Sequence, residues 1–414
     1  MLPPAASLFI PPGVLPDARL LLGARGLRAF GDGYVSLLLP YYLTLLGYSA
    51  FEIGALVTAT LLGSGLTTLG VGLIAHRFRQ RTLLKTAAWI MTATGVAFIS
   101  TTDFWPLVVV AAVGTINPSS GDVSVFRPLE HALLTRTVGA QYRTALFARY
   151  GLVGYLVGAF GAQAAALPAL GQQWFALDAR HAVQLMFLSY GVLGLGCLFL
   201  YRNLSPQLEP HDVAPSAPLG KSRRLVYTLT AVISLDNFAS GFIVQSLVAL
   251  WLLDRFQLSI VTAGTIFFWT GILSAFSMLV SAALARRIGL LNTMVFTHLP
   301  SSVFLILVPL MPNLELAVLF LLLRSALSQM DMPARNSYAM AVVTPEERPA
   351  AASITAVPSS LTSAVSPLLA GWLLSLSSFG WPLVICGSLK IVYDMLLLAM
   401  FRRVRPPEES HKAS

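Results

Sequence analysis

The stretch from Leu316 to Val343 contains LLLRSALSQMDMPARNSY, and it sets Arg324, Gln329, Asp331 and Arg335 into what otherwise reads as lipid-compatible helix. Inserting such a charge at membrane depth costs roughly 2.5–3.5 kcal/mol. A chain that keeps several must face them to a polar interior, pair them, or use them to move a solute. Arg324, Asp331 and Arg335 fall at i, i+7 and i+11, one face at helical period. Asp331 and Arg335 are also i, i+4 partners.

Other charges sit at comparable depth: Asp32; Asp122, Arg127 and Glu130; and Asp236 beside Asn237. Arg127 and Glu130, at i, i+3, are within pairing reach. An acid at this depth can hold a proton while dry and release it when water or a cation arrives, which is the chemistry of proton coupling. Asp236 is the first choice for that role, because no Arg or Lys lies within one helical turn of it. Asp32 is second, since Arg28 at i−4 can neutralise it. The structural alternative is that these acids only pair with Arg324 or Arg127. Lys390 and Asp394 read as a self-satisfying i, i+4 pair, and His298, before Pro300, as a neighbour of a helix kink.

The elements that position these residues follow from composition. The 414 residues are 56% hydrophobic and 11% charged, with mean hydropathy +0.74, against about 25% charged in a soluble domain. This is an all-α membrane protein. At about 20 residues per crossing the chain gives twelve spans. They lie near Leu20–Leu46, Glu52–Ala75, Thr82–Thr101, Pro106–Leu133, Thr144–Ala166, Ala182–Tyr201, Leu225–Leu253, Ile260–Ala285, Leu290–Met311, Leu316–Val343, Ala350–Ser375 and Trp381–Phe401. The expected organisation is a tail (1–19), a six-helix bundle (20–202), a Pro/Ser-rich linker (203–224), a second six-helix bundle (225–402) and a polar tail (403–414).

The net charge of +9 is a topology signal. Lys and Arg gather on one side, at Arg77–Lys85, Arg136, Arg143, Arg202, Lys221–Arg224, Arg286, Arg287, Arg348 and Arg402–Arg405. The opposite loops offer Arg180 and Arg255. The positive-inside rule then makes both termini and the linker cytoplasmic. Trp105, Trp174, Trp251 and Trp381 mark the outer ends as an aromatic belt. No basic cluster interleaved with aromatics points to nucleic acid. Cys197 and Cys386 are the two cysteines, too few for a thiolate metal site. No HExxH, GxSxG or GxxxxGK[ST] is present, which argues against a metalloprotease, a serine hydrolase or an ATP-driven pump. A membrane-embedded enzyme or lipid-handling protein is the rival from another class.

The two sets of six read as repeats. Ala75-His76-Arg77 recurs as Ala285-Arg286-Arg287, 210 positions on, and Pro128 and Arg143 recur as Pro333 and Arg348, 205 on. Pro128 and Pro333 should loosen the fourth and tenth spans at one level. In the fifth span Gly151, Gly154, Gly158 and Gly161 form a one-faced stripe for close helix packing.

Twelve spans in two halves, basic turns after spans two and eight, and the stretch Gly72-Leu73-Ile74-Ala75-His76-Arg77-Phe78-Arg79-Gln80-Arg81 resemble the major facilitator superfamily. The resemblance covers about Leu20 to Phe401. The glycine, Arg77 and Arg81 of the family's loop signature are kept; His76 replaces its acid and Arg79 its second glycine. The block SQMDMPARNSY is also similar to bacterial transporters of this superfamily. The resemblance implies two pseudo-symmetric bundles, alternating access and a cavity lined by spans one, four, seven and ten, where Asp32, Asp122, Arg127, Glu130, Asp236, Asn237, Arg324, Gln329, Asp331 and Arg335 collect. It also implies a cytoplasmic latch. With the acid lost, the sign-reversed version would set Arg77 and Arg79 against Glu346 and Glu347, and His76, Arg286 and Arg287 complete the expected cytoplasmic gate. The expectation is a proton-coupled exporter of a small solute, acting as a monomer in a bacterial inner membrane, without cofactor. Uptake by symport and uniport are the near rivals.

Overall fold

The computed structural model describes residues 15–74, 78–119, 121, 124–139, 142–208, 220, 222–341, 343 and 347–402. All regular elements among them are helical. In chain order they are α1 (Asp17–Leu45), α2 (Ala50–Ile74), α3 (Gln80–Ser100), α4 (Phe104–Val113), α5 (Phe126–Leu134), α6 (Arg143–Ala164), α7 (Leu167–Phe175), α8 (Ala179–Arg202), α9 (Arg223–Gly241), α10 (Gln245–Phe256), α11 (Ile260–Ile288), α12 (Leu290–Leu307), α13 (Leu314–Leu327), α14 (Asp331–Ala341), α15 (Arg348–Leu376) and α16 (Trp381–Phe401). Joining α4 to α5, α9 to α10 and α13 to α14, with α7 a short extension of α6, gives the twelve spans. Eight of these are long and apolar enough to cross a membrane on length and composition alone.

Local chemistry sets the helix ends. Ser49 and Glu52 cap α2 reciprocally: the Glu52 N–H donates to Ser49 Oγ, and the Ser49 N–H to Glu52 Oε2. This capping box satisfies two donors that would otherwise be orphaned. Asn313 accepts from the Leu316 N–H at the start of α13. Gly380, before α16, has φ +95°, and a Cβ there would meet Trp251 Nε1 at 2.7 Å. Only glycine fits both the backbone and the space.

The fourth span breaks between Val113 and Phe126, and the tenth between Leu327 and Asp331. Pro128 and Pro333 are each the third residue of the half-helix after the break, where a missing N–H costs nothing. So the prolines start new half-helices instead of kinking continuous ones. The freed carbonyls find side-chain donors, as backbone at this depth must. The Tyr190 hydroxyl donates to Thr115 O at 2.8 Å, and Asn117 Nδ2 donates to Gly121 O. The seventh span also breaks, at Phe242–Val244, with no proline to announce it.

The chain divides into two compact units. Unit 1 gathers the described residues of Met1–Tyr48, Ala59–Val213 and Ser259–Phe268; unit 2 those of Ser49–Thr58, Ala214–Leu258 and Trp269–Ser414. In unit 1, α1 packs on α6 and α8, and α3 on α8; in unit 2, α9 packs on α15 and α16, and α12 on α16. Spans one, three, five and six therefore repeat their packing as spans seven, nine, eleven and twelve. Lipid tails give no hydrophobic reward for this association, so close packing must supply it. The glycine stripe of α6 does so. A Cβ on Gly161 would lie 2.1 Å from Phe30 O, and one on Gly154 would strike the Arg25 guanidinium.

One expectation about the interface belt is corrected. Trp105, Trp174 and Trp381 are exposed, but Trp251 is 1% exposed. Its Nε1 donates to Ser378 O at 3.1 Å. It is a packing residue, held inside by that bond and by Gly380.

Candidate functional site

Among the described residues, each unit holds a buried polar cluster. In unit 1 the centre is Glu130 on α5, fully buried. Its carboxylate takes the Arg28 guanidinium from α1, the Tyr201 hydroxyl from α8 at 2.6 Å and the Tyr150 hydroxyl from α6 at 2.5 Å. Arg28 also lies over the Phe126 ring, 4.4 Å from its centroid. A buried carboxylate is tolerable only when paired and fully hydrogen-bonded, and four elements converge to achieve that. One turn further along α1, the Asp32 carboxylate accepts from Asn117 Nδ2 at 3.3 Å, in the break of the fourth span.

In unit 2 the centre is Asp236 on α9. Arg335 Nη1, from α14, lies 2.8 Å from its Oδ2, and Lys390 Nζ, from α16, lies 2.6 Å from its Oδ1. Lys390 also donates to Ser240 Oγ at 2.8 Å. His298 on α12 joins them: Nδ1 is 3.1 Å from both carboxylate oxygens of Asp394, and Nε2 is 3.3 Å from Lys390 Nζ. Asp236, His298, Lys390 and Asp394 are all buried. The Tyr393 ring stands edge-on to His298, and its hydroxyl is buried with no hydrogen-bond partner among the described residues. Leu229, Val232, Ile233, Met294, Val295, Ala334, Tyr338, Tyr393, Leu397 and Phe401, from the same four helices, form an apolar core beside these charges.

These contacts correct several sequence readings. Asp236 has no cation within a helical turn of its own chain, yet it holds two from other helices. Lys390 and Asp394 are not a private pair, because Lys390 turns to Asp236 and Asp394 to His298. His298 is a bridge within the cluster, not merely the neighbour of a kink. Glu130 pairs with Arg28, while Arg127, half-buried, makes no ion pair among the described residues. Asp331 and Arg335 approach to 4.0 Å, the edge of contact.

The remaining candidates are dispersed. Asn237 bonds back to Ile233 O, and the Gln329 N–H donates to Ser277 Oγ. Arg324 is half-buried, and its guanidinium has no ion-pair partner among the described residues. Arg79, Arg286 and Arg287 are exposed. Glu347 is buried, and its two oxygens accept from the Gly220 and Ser222 N–H groups at 2.8 and 3.1 Å, so it anchors the start of α9. His76, Arg77, Asp122 and Glu346 lie outside the described residues.

Arg28, Tyr150, Tyr201, His298, Lys390 and Asp394 are the members that the reading of cavity-lining spans left out. Their signal was present, since each is a polar group inside an apolar span, but their partners lie 20 to 154 residues away.

A family model described as Major Facilitator Superfamily matches residues 21–327 and 229–414. An uncharacterized membrane protein of Saccharomyces cerevisiae is 25% identical over 420 residues, spanning 93% of this chain and 94% of that one. Among solved structures, a bacterial homolog of the human lysosomal transporter Spinster, inward-facing and occupied, is similar with TM-score 0.73 at 14% identity, over 93% of this chain and 96% of that one. The nucleoside transporter NupG is similar with TM-score 0.69 at 12% identity, over 94% and 100%. The human organic anion transporter MFSD10 (TETRAN) is similar with TM-score 0.63 at 17% identity, over 92% and 100%. At these identities the structural likeness is one of fold.

Proposed function

The chain belongs to the Major Facilitator Superfamily, and from that premise we propose that it is a secondary active transporter coupling a small solute to protons. Membrane solute transport is the family's work; to it we add the coupling, the direction and the solute class. The observation that carries the coupling is the Asp236 cluster. Two acids, two cations and an imidazole share one buried network beside an apolar core. Such a network is costly to keep for stability alone, since well-packed apolar groups serve as well or better. It is suited to exchanging a proton for a rearrangement of its ion pairs.

The proposed direction is export driven by proton inflow, and the proposed site of action is the inner membrane of a bacterium with both chain termini in the cytoplasm. Arg324, with no ion-pair partner among the described residues, favours a solute bearing a negative group. Alternating access would expose this machinery to the two sides in turn.

The test uses inside-out vesicles with an acid interior and a pH dye, challenged with a panel of anionic, zwitterionic and cationic solutes. A solute that collapses the gradient with the wild type and not with Asp236→Asn supports coupled export and names the solute class. Radiolabelled solute that equilibrates without moving protons in either protein makes the carrier a uniporter and Asp236 a structural partner.

A further inference from the structure

Within unit 2, His298 and Lys390 address the same oxygen. Lys390 Nζ is 2.6 Å from Asp236 Oδ1, and His298 Nε2 is 3.8 Å from that atom. Nε2 is also 3.3 Å from Lys390 Nζ. An ammonium can only donate, so Nε2 facing it must be the bare, accepting nitrogen. The ring proton then sits on Nδ1, where the Asp394 carboxylate receives it at 3.1 Å. For a neutral ring, these neighbours select the tautomer protonated on Nδ1.

We propose that His298 is a proton-operated switch for Lys390, a role that rests on reading the protein as a proton-coupled carrier. A proton arriving at Nε2 turns the ring from an acceptor of the ammonium into a cation beside it. The new N–H then has Asp236 Oδ1 as its acceptor and competes with Lys390 for that atom. Lys390 is displaced from Asp236 and keeps Ser240 Oγ as its acceptor. Only a proton is taken up, and it is returned when Lys390 reclaims Asp236. Asp236 stays ionised throughout, as the fixed counter-ion.

The surroundings suit this exchange. The elements packed on α12 present Lys390, Tyr393, Asp394 and Cys386 from α16, Arg335, Asp331 and Tyr338 from α14, and Arg324 from α13; Asp236 comes from α9. With a neutral ring, Arg324, Arg335 and Lys390 balance Asp236, Asp331 and Asp394 in formal charge. Tyr393 is 1% exposed, its ring stands edge-on to His298, and its hydroxyl has no hydrogen-bond partner among the described residues.

The experiment needs no identified solute. The full-length protein is labelled with [15N]histidine and [15N]lysine, placed in lipid nanodiscs and followed by NMR from acid to alkaline pH. Its six histidines include His298, which is assigned by its loss in His298→Gln; Lys390 is assigned by its loss in Lys390→Arg. The expected result is a His298 ring with a bare Nε2 at alkaline pH and two N–H groups at acid pH. The Lys390 ammonium signal changes over the same interval. A ring that keeps one form throughout, or a Lys390 signal that does not move with it, overturns the switch. Proton flux in solute-challenged vesicles is read separately on the wild type. Proton flux with an unchanging ring sinks the switch alone; a titrating ring without any proton flux sinks the carrier reading on which it rests.

Discussion

Lys390 on α16 holds its ammonium 2.6 Å from Oδ1 of Asp236 on α9, across 154 residues of sequence. The second carboxylate oxygen is held by Arg335 at 2.8 Å. One acid therefore serves two cations, and the consequences of removing each partner are unequal. Asp236→Asn takes the carboxylate from Lys390 and leaves Arg335 only Asp331, at 4.0 Å, and breaking a buried pair in this way costs about 3–5 kcal/mol. Lys390→Met leaves the Asp236–Arg335 pair intact and should cost less. Thermal unfolding in detergent orders the two. Equal losses would mean that Arg335 does not neutralise Asp236 by itself.

Unit 1 makes a parallel prediction around Glu130. Glu130→Gln leaves the Arg28 guanidinium buried without its counter-ion, again about 3–5 kcal/mol. Tyr201→Phe removes one hydrogen bond to a charged group, worth about 1.5–3 kcal/mol. Because both act on one network, the double variant should lose less than the two single losses added together. A double-mutant cycle on the unfolding midpoint reads that coupling, and strict additivity would show that Tyr201 and Glu130 act independently.

Much of the architecture was legible. Twelve spans follow from hydropathy, and Pro128 and Pro333, 205 positions apart, flag the two breaks at matching places. The break after Gly241 was not legible, because no proline marks it. The site was half legible. Asp236, Arg335 and Glu130 stood out because a charge in an apolar span is rare. Their partners did not, because pairing read from sequence reaches only one helical turn, while Lys390, Arg28 and Tyr201 arrive from other helices. Lys390 and Asp394 misled for that reason: they satisfy the spacing rule, and the fold offered each a better partner.

Glu347 gives a prediction about the linker. Its carboxylate receives the Gly220 and Ser222 N–H groups and so holds the chain leading into α9. A Cβ on Gly220 would come within 3.1 Å of Glu347 Oε1, which shows how closely the two approach. Glu347→Ala leaves both donors without that acceptor. Tryptic cleavage at the exposed Arg223 and Arg224 should then quicken at the start of α9. Cleavage at the wild-type rate would mean that other contacts hold this segment.

Close helix packing yields the last prediction. In α6, Gly161 lies against the α1 backbone: a Cβ would sit 2.1 Å from Phe30 O and 2.9 Å from its carbonyl carbon. Neither is the end of a flexible side chain, so the helices must separate. Their separation also moves Arg25 and Arg28, which project from α1 toward α6 residues Gly154 and Tyr150. Gly161→Ala should therefore cost at least the 1–3 kcal/mol typical of overpacking, at about the upper end of that range. Gly70 in α2 is the control, since a Cβ there meets nothing within 4 Å. Gly70→Ala should be neutral or gain up to about 1 kcal/mol of helix propensity. The two variants add the same methyl group to helices of the same bundle, so unfolding midpoints that differ in this order isolate the packing. If both are neutral, α1 and α6 can yield without loss, and the glycine stripe is not what draws them together.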